Sequence, residues 1–226
     1  MLKLFFRLFL IVGFQNFCFG QTDTSAYAKD SLQKLNKIIP KIRIGADVSR
    51  LFLSATRNDF KGFEGSLDAN IGKNIYELHV GFANQSQKLE KYRPISSGIY
   101  ASVGYSKNIF AESDNILSMG GRLAGSSFNY QPTEVEIEDD FSTTKKMLDL
   151  EKRASRALWA EFVTSMKAKV LGWIMMGFEV RIKARIQAKT DGYQPYVIPG
   201  YGFYTNKTSL GFNYFVFINL PAKIKK

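Results

Sequence analysis

The stretch IMMGFEVRIKARI, residues 174–186, sets Ile174, Met176, Phe178, Val180, Ile182, Ala184 and Ile186 at alternate positions, with Gly177, Glu179, Arg181, Lys183 and Arg185 among the residues between them. A period of two belongs to a β-strand with one apolar and one polar face; a helix repeats its apolar face about every 3.6 residues. The apolar side is rich in β-branched and aromatic residues, which favour strands. The same alternation recurs on both sides of this segment.

Upstream, Ile42, Ile44, Ala46 and Val48 alternate with Arg43, Gly45, Asp47 and Ser49. Phe63, Gly65, Leu67, Ala69 and Ile71 alternate with Glu64, Ser66, Asp68 and Asn70. Tyr76, Leu78, Val80 and Phe82 face away from Glu77, His79 and Gly81, and Ile99, Ala101, Val103 and Tyr105 face away from Tyr100, Ser102 and Gly104. A weaker segment, Leu117 to Leu123, turns Ser118, Gly120 and Arg122 to its polar side. Phe162, Met166, Ala168 and Val170 oppose Glu161, Ser165, Lys167 and Lys169. Downstream, Leu210, Phe212, Tyr214, Val216, Ile218 and Leu220 oppose Gly211, Asn213 and Asn219. The strand count is therefore about eight, as in the smallest membrane barrels.

Three features decide which face points inward. The polar face collects the strand glycines Gly45, Gly62, Gly72, Gly81, Gly98, Gly104, Gly120, Gly177 and Gly211, and a narrow lumen needs small residues. It also carries nearly balanced charge. Arg43, Arg122, Lys167, Lys169, Arg181, Lys183 and Arg185 accompany Asp47, Glu64, Asp68, Glu77, Glu161 and Glu179, so buried pairing is available. Folding about Gly172 sets Glu161 opposite Lys183 and Lys167 diagonal to Glu179. Finally, short links (73–74, 107–115, 171–173) alternate with long ones (54–61, 84–96, 131–156, 190–208), the asymmetry of outer-membrane barrels. Tyr76, Tyr105 and Trp173 fall at the short-turn end, where an aromatic girdle would sit. The expected fold is all-β: an antiparallel, up-and-down transmembrane β-barrel with its apolar face outward and a charged, glycine-rich lumen.

The chain begins MLKLFFRLFLIVGFQNFCFGQ. Lys3 and Arg7 form a positive start, Leu8 to Phe14 a short apolar run, and Cys18 and Gly20 small residues before Gln21. This reads as a signal peptide over 1–20, because the apolar run is far short of the roughly 20 residues of a membrane helix. Phe17 speaks against a lipid-anchored Cys18. Residues 21–40 form a periplasmic lead-in, helix-like from Ser25 to Ile39 and ended by Pro40; the barrel spans 41–222 and a basic tail 223–226. The formal charge of +11, less the two charges of Lys3 and Arg7, leaves +9. For an exported protein the natural counterpart is lipid phosphate rather than nucleic acid. Loss of residues 1–20 removes the sole cysteine, and a single histidine remains, so thiol chemistry and Cys- or His-rich metal sites are excluded. No cofactor is expected.

The segments RIGADVSR (43–50), KGFEGSLDANI (61–71), GIYASVGY (98–105), AEFVTSMKAKVLGWIMMGFEVRIKARI (160–186), YVIPGYG (196–202) and SLGFNYFVFINLP (209–221) resemble an uncharacterised, domain-of-unknown-function family of outer-membrane β-barrel proteins from Bacteroidota. The resemblance runs from about Ile42 to the C-terminus, and Ile198-Pro199-Gly200 followed by Gly211-Phe212-Asn213-Tyr214 is its most specific part. It implies a barrel in the outer membrane and brings no activity or catalytic residues.

Function is less legible. With Lys73–Asn74 as a two-residue turn, Asp68 lies opposite His79, and Ser102 lies opposite it on the other side, the ingredients of nucleophilic catalysis. All three point into the lumen, where a lipid substrate has no access. The acidic run Glu134, Glu136, Glu138, Asp139 and Asp140 sits in the longest external loop. It offers oxygen ligands for a divalent cation but lacks the spacing of a defined calcium loop; the following 145–156 stretch is basic. Ser209-x-Gly211-x-x-Tyr214-x-Val216 fits the loose signal read by barrel-insertion machinery. The expected role is non-enzymatic: membrane integrity, surface interaction through the loops, or a narrow pore, in a monomer among outer-membrane lipids including lipopolysaccharide. The alternatives are a membrane-embedded lipid A hydrolase or acyltransferase, and a soluble periplasmic lipocalin-like binder.

Overall fold

The computed structural model describes residues 41–110, 115–139, 142–192 and 194–220. The signal peptide, the lead-in and the basic tail lie outside them. Eight antiparallel strands close into a barrel in the order β1-β12-β9-β8-β5-β4-β3-β2. They are β1 (Lys41–Asp47), β2 (Phe60–Ile71), β3 (Asn74–Ser86), β4 (Arg93–Asn108), β5 (Ile116–Thr133), β8 (Arg153–Leu171), β9 (Ile174–Thr190) and β12 (Thr208–Leu220). Sequence neighbours pair, and β12 closes the ring on β1 with Ile44 opposite Ile218. Two small hairpins lie outside the ring: β6 (Val135–Asp139) with β7 (Ser142–Leu148), and β10 (Val197–Ile198) with β11 (Gly202–Phe203). Among the described residues no helix is long and apolar enough to cross a membrane.

The barrel is apolar outside and polar inside. Along β3 burial alternates residue by residue, with Glu77 and His79 buried and Tyr76, Leu78, Val80 and Phe82 exposed. The segment expected to be weakest, around Leu117, is an 18-residue strand. Its outward positions include Gly121 and Gly125, which dilute the apolar signal without breaking the alternation.

The short links are tight. Gly72 (φ +65°) and Lys73 join β2 to β3, and Gly172 (φ +44°) and Trp173 join β8 to β9. A glycine with positive φ leading a two-residue loop fits the twist of the flanking strands. Gly72 is therefore a turn residue, not a lumen residue as expected. Beyond Gly172, Glu161 pairs with Lys183, and Ser165 pairs with Glu179, which places Lys167 diagonal to Glu179, as expected.

The first long link holds a helix that the strand reading extended into. Asp47 ends β1 and caps α1 (Val48–Thr56) by accepting from the N–H groups of Ser49 and Arg50. Val48 and Ser49 thus belong to the helix. The acidic stretch, expected as a loop, forms the β6–β7 hairpin, with an irregular register between Ile137 and Asp139.

Candidate functional site

Parity puts the charged residues of six barrel strands into one narrow space, and the structure joins ten ionic side chains, Arg50 of α1 among them, in a continuous chain of alternating sign. Arg43 bonds Asp68 at 2.6 Å, and Asp68 bonds Lys167 at 2.6 Å. Lys167 lies 3.5 Å from Glu77, which takes Arg122 at 2.7 Å. Arg122 reaches Glu179 at 3.0 Å, and Glu179 reaches Arg181 at 2.8 Å. Arg181 bonds Glu64 at 2.7 Å, Glu64 meets Arg50 at 3.1 Å, and Arg50 meets Asp47 at 3.3 Å. Asn213 ends the chain by donating to Asp47. Asp68, Glu77, Glu179 and Glu64 are thus each flanked by two cations, and Asp47 by Arg50 and the Asn213 amide, the condition for charge to persist where desolvation is severe.

Two of the thirteen charged residues expected in the lumen lie elsewhere. Lys169 is exposed at the short-turn end, where the β8–β9 register shifts between Lys169 and Leu171. Arg185 is half-buried at the opposite rim, donates to Tyr204 O and stacks over the Tyr204 ring at 4.6 Å. Glu161 and Lys183 are buried beside the chain: Trp159 Nε1 donates to Glu161 at 2.7 Å, and Lys183 donates to Gly200 O at 2.6 Å.

Arg50 was not among the expected members. Its signal was available, because an aspartate followed by apolar residues at 48, 51, 52 and 55 marks a capped helix start. Apolar interior residues were missed for a different reason. Ile75, Ile116, Met175, Phe215 and Phe217 close the short-turn end, and Trp159, Tyr100, Phe128, Tyr130 and Tyr201 fill the long-loop end. Strand parity alone places Phe215 and Phe217 inside, between outward Tyr214, Val216 and Ile218. The lumen glycines make room for these rings. A Cβ at Gly45 would stand 2.5 Å from the Phe217 ring, and one at Gly177 would stand 2.6 Å from it.

The expected row of Asp68, His79 and Ser102 forms only in part. His79 does pair with Ser102, but Asp68 pairs with Glu77, and Ser66 stands opposite His79. The turn falls at Gly72–Lys73 rather than Lys73–Asn74, which shifts the pairing by two residues. The histidine therefore has other partners. Its Nδ1 lies 3.2 Å from Glu64 Oε1, its Nε2 lies 3.4 Å from Ser66 Oγ, and its ring packs edge-on against Phe215. Serine, imidazole and carboxylate stand in triad order, yet all three are buried and Glu64 is also held by Arg181 and by the Tyr100 hydroxyl at 2.9 Å.

In the acidic hairpin, Glu134 takes φ +52°, lies 3.1 Å from Arg93 and donates its N–H to Asp149. Glu136 has interaction partners, the side chains of Glu138 and Asp139 are not described, and Asp140 lies outside the described residues. Among the described residues no three His, Cys, Asp or Glu side chains gather as metal ligands.

The β10–β11 hairpin folds back over the long-loop mouth. Ser96 donates to Val197 O at 2.8 Å, and Tyr201 packs against Trp159 with ring centroids 5.7 Å apart. Burial holds the Tyr201 phenol above its ordinary pKa, so it stays a donor, to Asn206 O at 3.0 Å.

Fold and interior together define a closed, eight-stranded antiparallel β-barrel with an ion-paired lumen and an apolar outer wall. The chain belongs to the family described as Domain of unknown function (DUF6048), whose model matches residues 1–225. A comparison with curated proteins finds no match, and neither does one with solved structures.

Proposed function

We propose that the protein is a monomeric, non-enzymatic outer-membrane β-barrel of Bacteroidota, exported by the signal peptide at residues 1–20 and inserted through the signal in β12. Its work is done at the long-loop end, on the cell surface, while the barrel contributes to membrane integrity. The observation that carries this reading is the inverted distribution of polarity. Ile99 is 65 % exposed, Phe212 62 %, Val80 52 % and Phe162 52 %, whereas Glu64, Glu179 and Lys167 are 0 % exposed. An apolar wall around a barrel far exceeds the few hundred Å² that soluble monomers leave bare. Exposed Tyr76 and Tyr105, with ring centroids 5.6 Å apart, and exposed Trp173 stand where a girdle would meet the interface.

The soluble lipocalin-like alternative needs its apolar face inward, opposite to this arrangement. The narrow-pore alternative has little support, because Lys167, Glu179, Phe215 and Phe217 occupy the lumen with 0 % exposure. The enzyme alternative, a lipid A hydrolase or acyltransferase, now rests on Ser66–His79–Glu64, whose burial keeps lipid away. Unchanged lipid A in cells carrying Ser66→Ala or His79→Ala is the expected result; altered lipid A would establish the enzyme.

Heat modifiability tests the main reading. The detergent-folded protein should migrate faster unboiled than boiled on an SDS gel and resist extraction by carbonate. Identical migration, with solubility in plain buffer, would overturn it.

A further inference from the structure

At the long-loop end a cavity of about 700 Å³ opens between α1, β9, the start of β12 and the β10–β11 hairpin, and its lining runs from inward Lys183, Gly211 and Asn213 to the outward side chains of Ile182, Leu210 and Phe212. That volume falls within the range of small-molecule sites, about 300–1,000 Å³. The charged residues lining it are Arg50 and Lys183, and no carboxylate lines it among the described residues.

Both cations keep unused donors. Lys183 is 4 % exposed and spends one N–H on Gly200 O at 2.6 Å; an ammonium carries two more. Its head lies over Gly211, where a Cβ would stand 3.1 Å from Cε and 3.2 Å from Nζ, so a larger residue there would crowd the amine. Arg50 turns Nε toward Asp47 and Glu64, and its Nη groups donate to no acceptor among the described residues. Asp47 and Glu64 thus attract the guanidinium through ionic contacts in which Nε makes no hydrogen bond, and the Nη donors remain for a ligand. Glu161 faces Lys183 across the β8–β9 ladder; Trp159 donates to its Oε1, and its Oε2 is buried without a hydrogen-bond partner and outside the cavity lining. Ser49, Asn206 and Ser209 add neutral polar groups to the lining, and Phe60 and Tyr201 add aromatic ones.

We propose that this cavity binds a small organic oxyanion. A carboxylate or phosphate lies between Arg50 and Lys183, and a sugar-like remainder lies against Tyr201, Asn206 and Ser209. The planar guanidinium pairs with such a group through parallel hydrogen bonds, and the ammonium adds a point charge. The inference stands apart from the membrane reading, since a barrel in any compartment would carry the same mouth.

Calorimetric titration of the detergent-folded protein with glucose 6-phosphate, glucuronate and glucose tests it, at an ionic strength that screens non-specific attraction. At least one of the two anions should bind, and glucose should bind at least about tenfold more weakly, as expected when charge-assisted hydrogen bonds are lost. Which anion binds separates a phosphate site from a carboxylate site. Arg50→Gln and Lys183→Gln should each weaken binding by about tenfold or more. Ser209→Phe, which projects a ring into the cavity and leaves both cations in place, should weaken it by about tenfold or more; far-UV circular dichroism reports that each variant has folded. Failure of both anions to bind, glucose binding as tightly as they do, or undiminished binding in folded Ser209→Phe overturns the proposal.

Discussion

Replacing Arg122 with methionine takes the centre out of the charge chain and leaves two carboxylates behind. Arg122 donates to Glu77 Oε2 at 2.9 and 2.7 Å and to both oxygens of Glu179 at 3.0 and 3.1 Å. Without it Glu179 keeps Arg181 at 2.8 Å, whereas Glu77 keeps only Lys167 at 3.5 Å. Breaking a buried pair from one side costs about 3–5 kcal/mol, because the remaining charge stays desolvated without a partner. For protein folded in lipid vesicles, a urea slope of about 2 kcal/mol per M turns that cost into a midpoint shift of about 1.5–2.5 M. The double variant Arg122→Met/Glu77→Gln removes the stranded charge and should regain more than half of the loss. A single-variant shift below about 0.5 M, the size expected of a solvated surface pair, would refute a dry, ion-paired lumen.

Neighbouring glycines give a second contrast. A Cβ at Gly120 would stand 2.1 Å from Tyr105 O, whereas one at Gly121 meets nothing nearer than 3.7 Å. Gly120→Ala should therefore cost about 3 kcal/mol or more in the same urea assay, and Gly121→Ala should stay within about 0.5 kcal/mol of the parent. Val80→Arg, on the outer wall at mid-strand, should cost about 2–4 kcal/mol in vesicles, and equal stability would count against a lipid-facing wall. Asp47→Ala removes the cap of α1, worth about 1 kcal/mol, together with a partner of Arg50. Limited trypsin digestion should then cut faster after Arg50 or Arg57, and an unchanged rate would assign the docking of α1 to other contacts, such as those of Ser54 with Gly62.

Architecture was the legible part of the sequence because an up-and-down barrel writes its fold in a local code. Whether Glu179 lies inside depends only on its place relative to Phe178 and Val180, and the same rule orders every strand of the ring. The rule falters where composition masks it. Gly121 and Gly125 hide the outward face of β5, and Phe215 and Phe217 give β12 a nearly continuous apolar run although they point inward. It also says nothing of α1, whose apolar residues follow a helical period in a link where a strand pattern has just ended. Arg50 entered the network from that helix, so the cavity at the mouth could not be assembled from strand parity.

Partner identity is a harder quantity than facing, and His79 shows why. A register shift of two residues keeps every side chain on its own face, so Glu64, Asp68 and His79 are interior whether the turn falls at Lys73–Asn74 or at Gly72–Lys73. Their chemistry is not preserved. One register sets His79 opposite Asp68; the other sets it opposite Ser66, with its Nδ1 toward Glu64. Gly72 favours the second, since it supplies the positive φ at the first loop position, as Gly172 does in the other tight turn. Gly81 supplies an independent constraint. In the observed register Glu64 stands opposite Gly81, and the Tyr100 ring crosses the space where a Cβ at Gly81 would lie 2.3 Å from Cζ, bringing its hydroxyl to Glu64. In the shifted register Ala83 would stand opposite Glu64 in place of the glycine. The register of β2 on β3 is thus specified twice, by a turn that needs glycine for its backbone and by a lumen that needs glycine for its space.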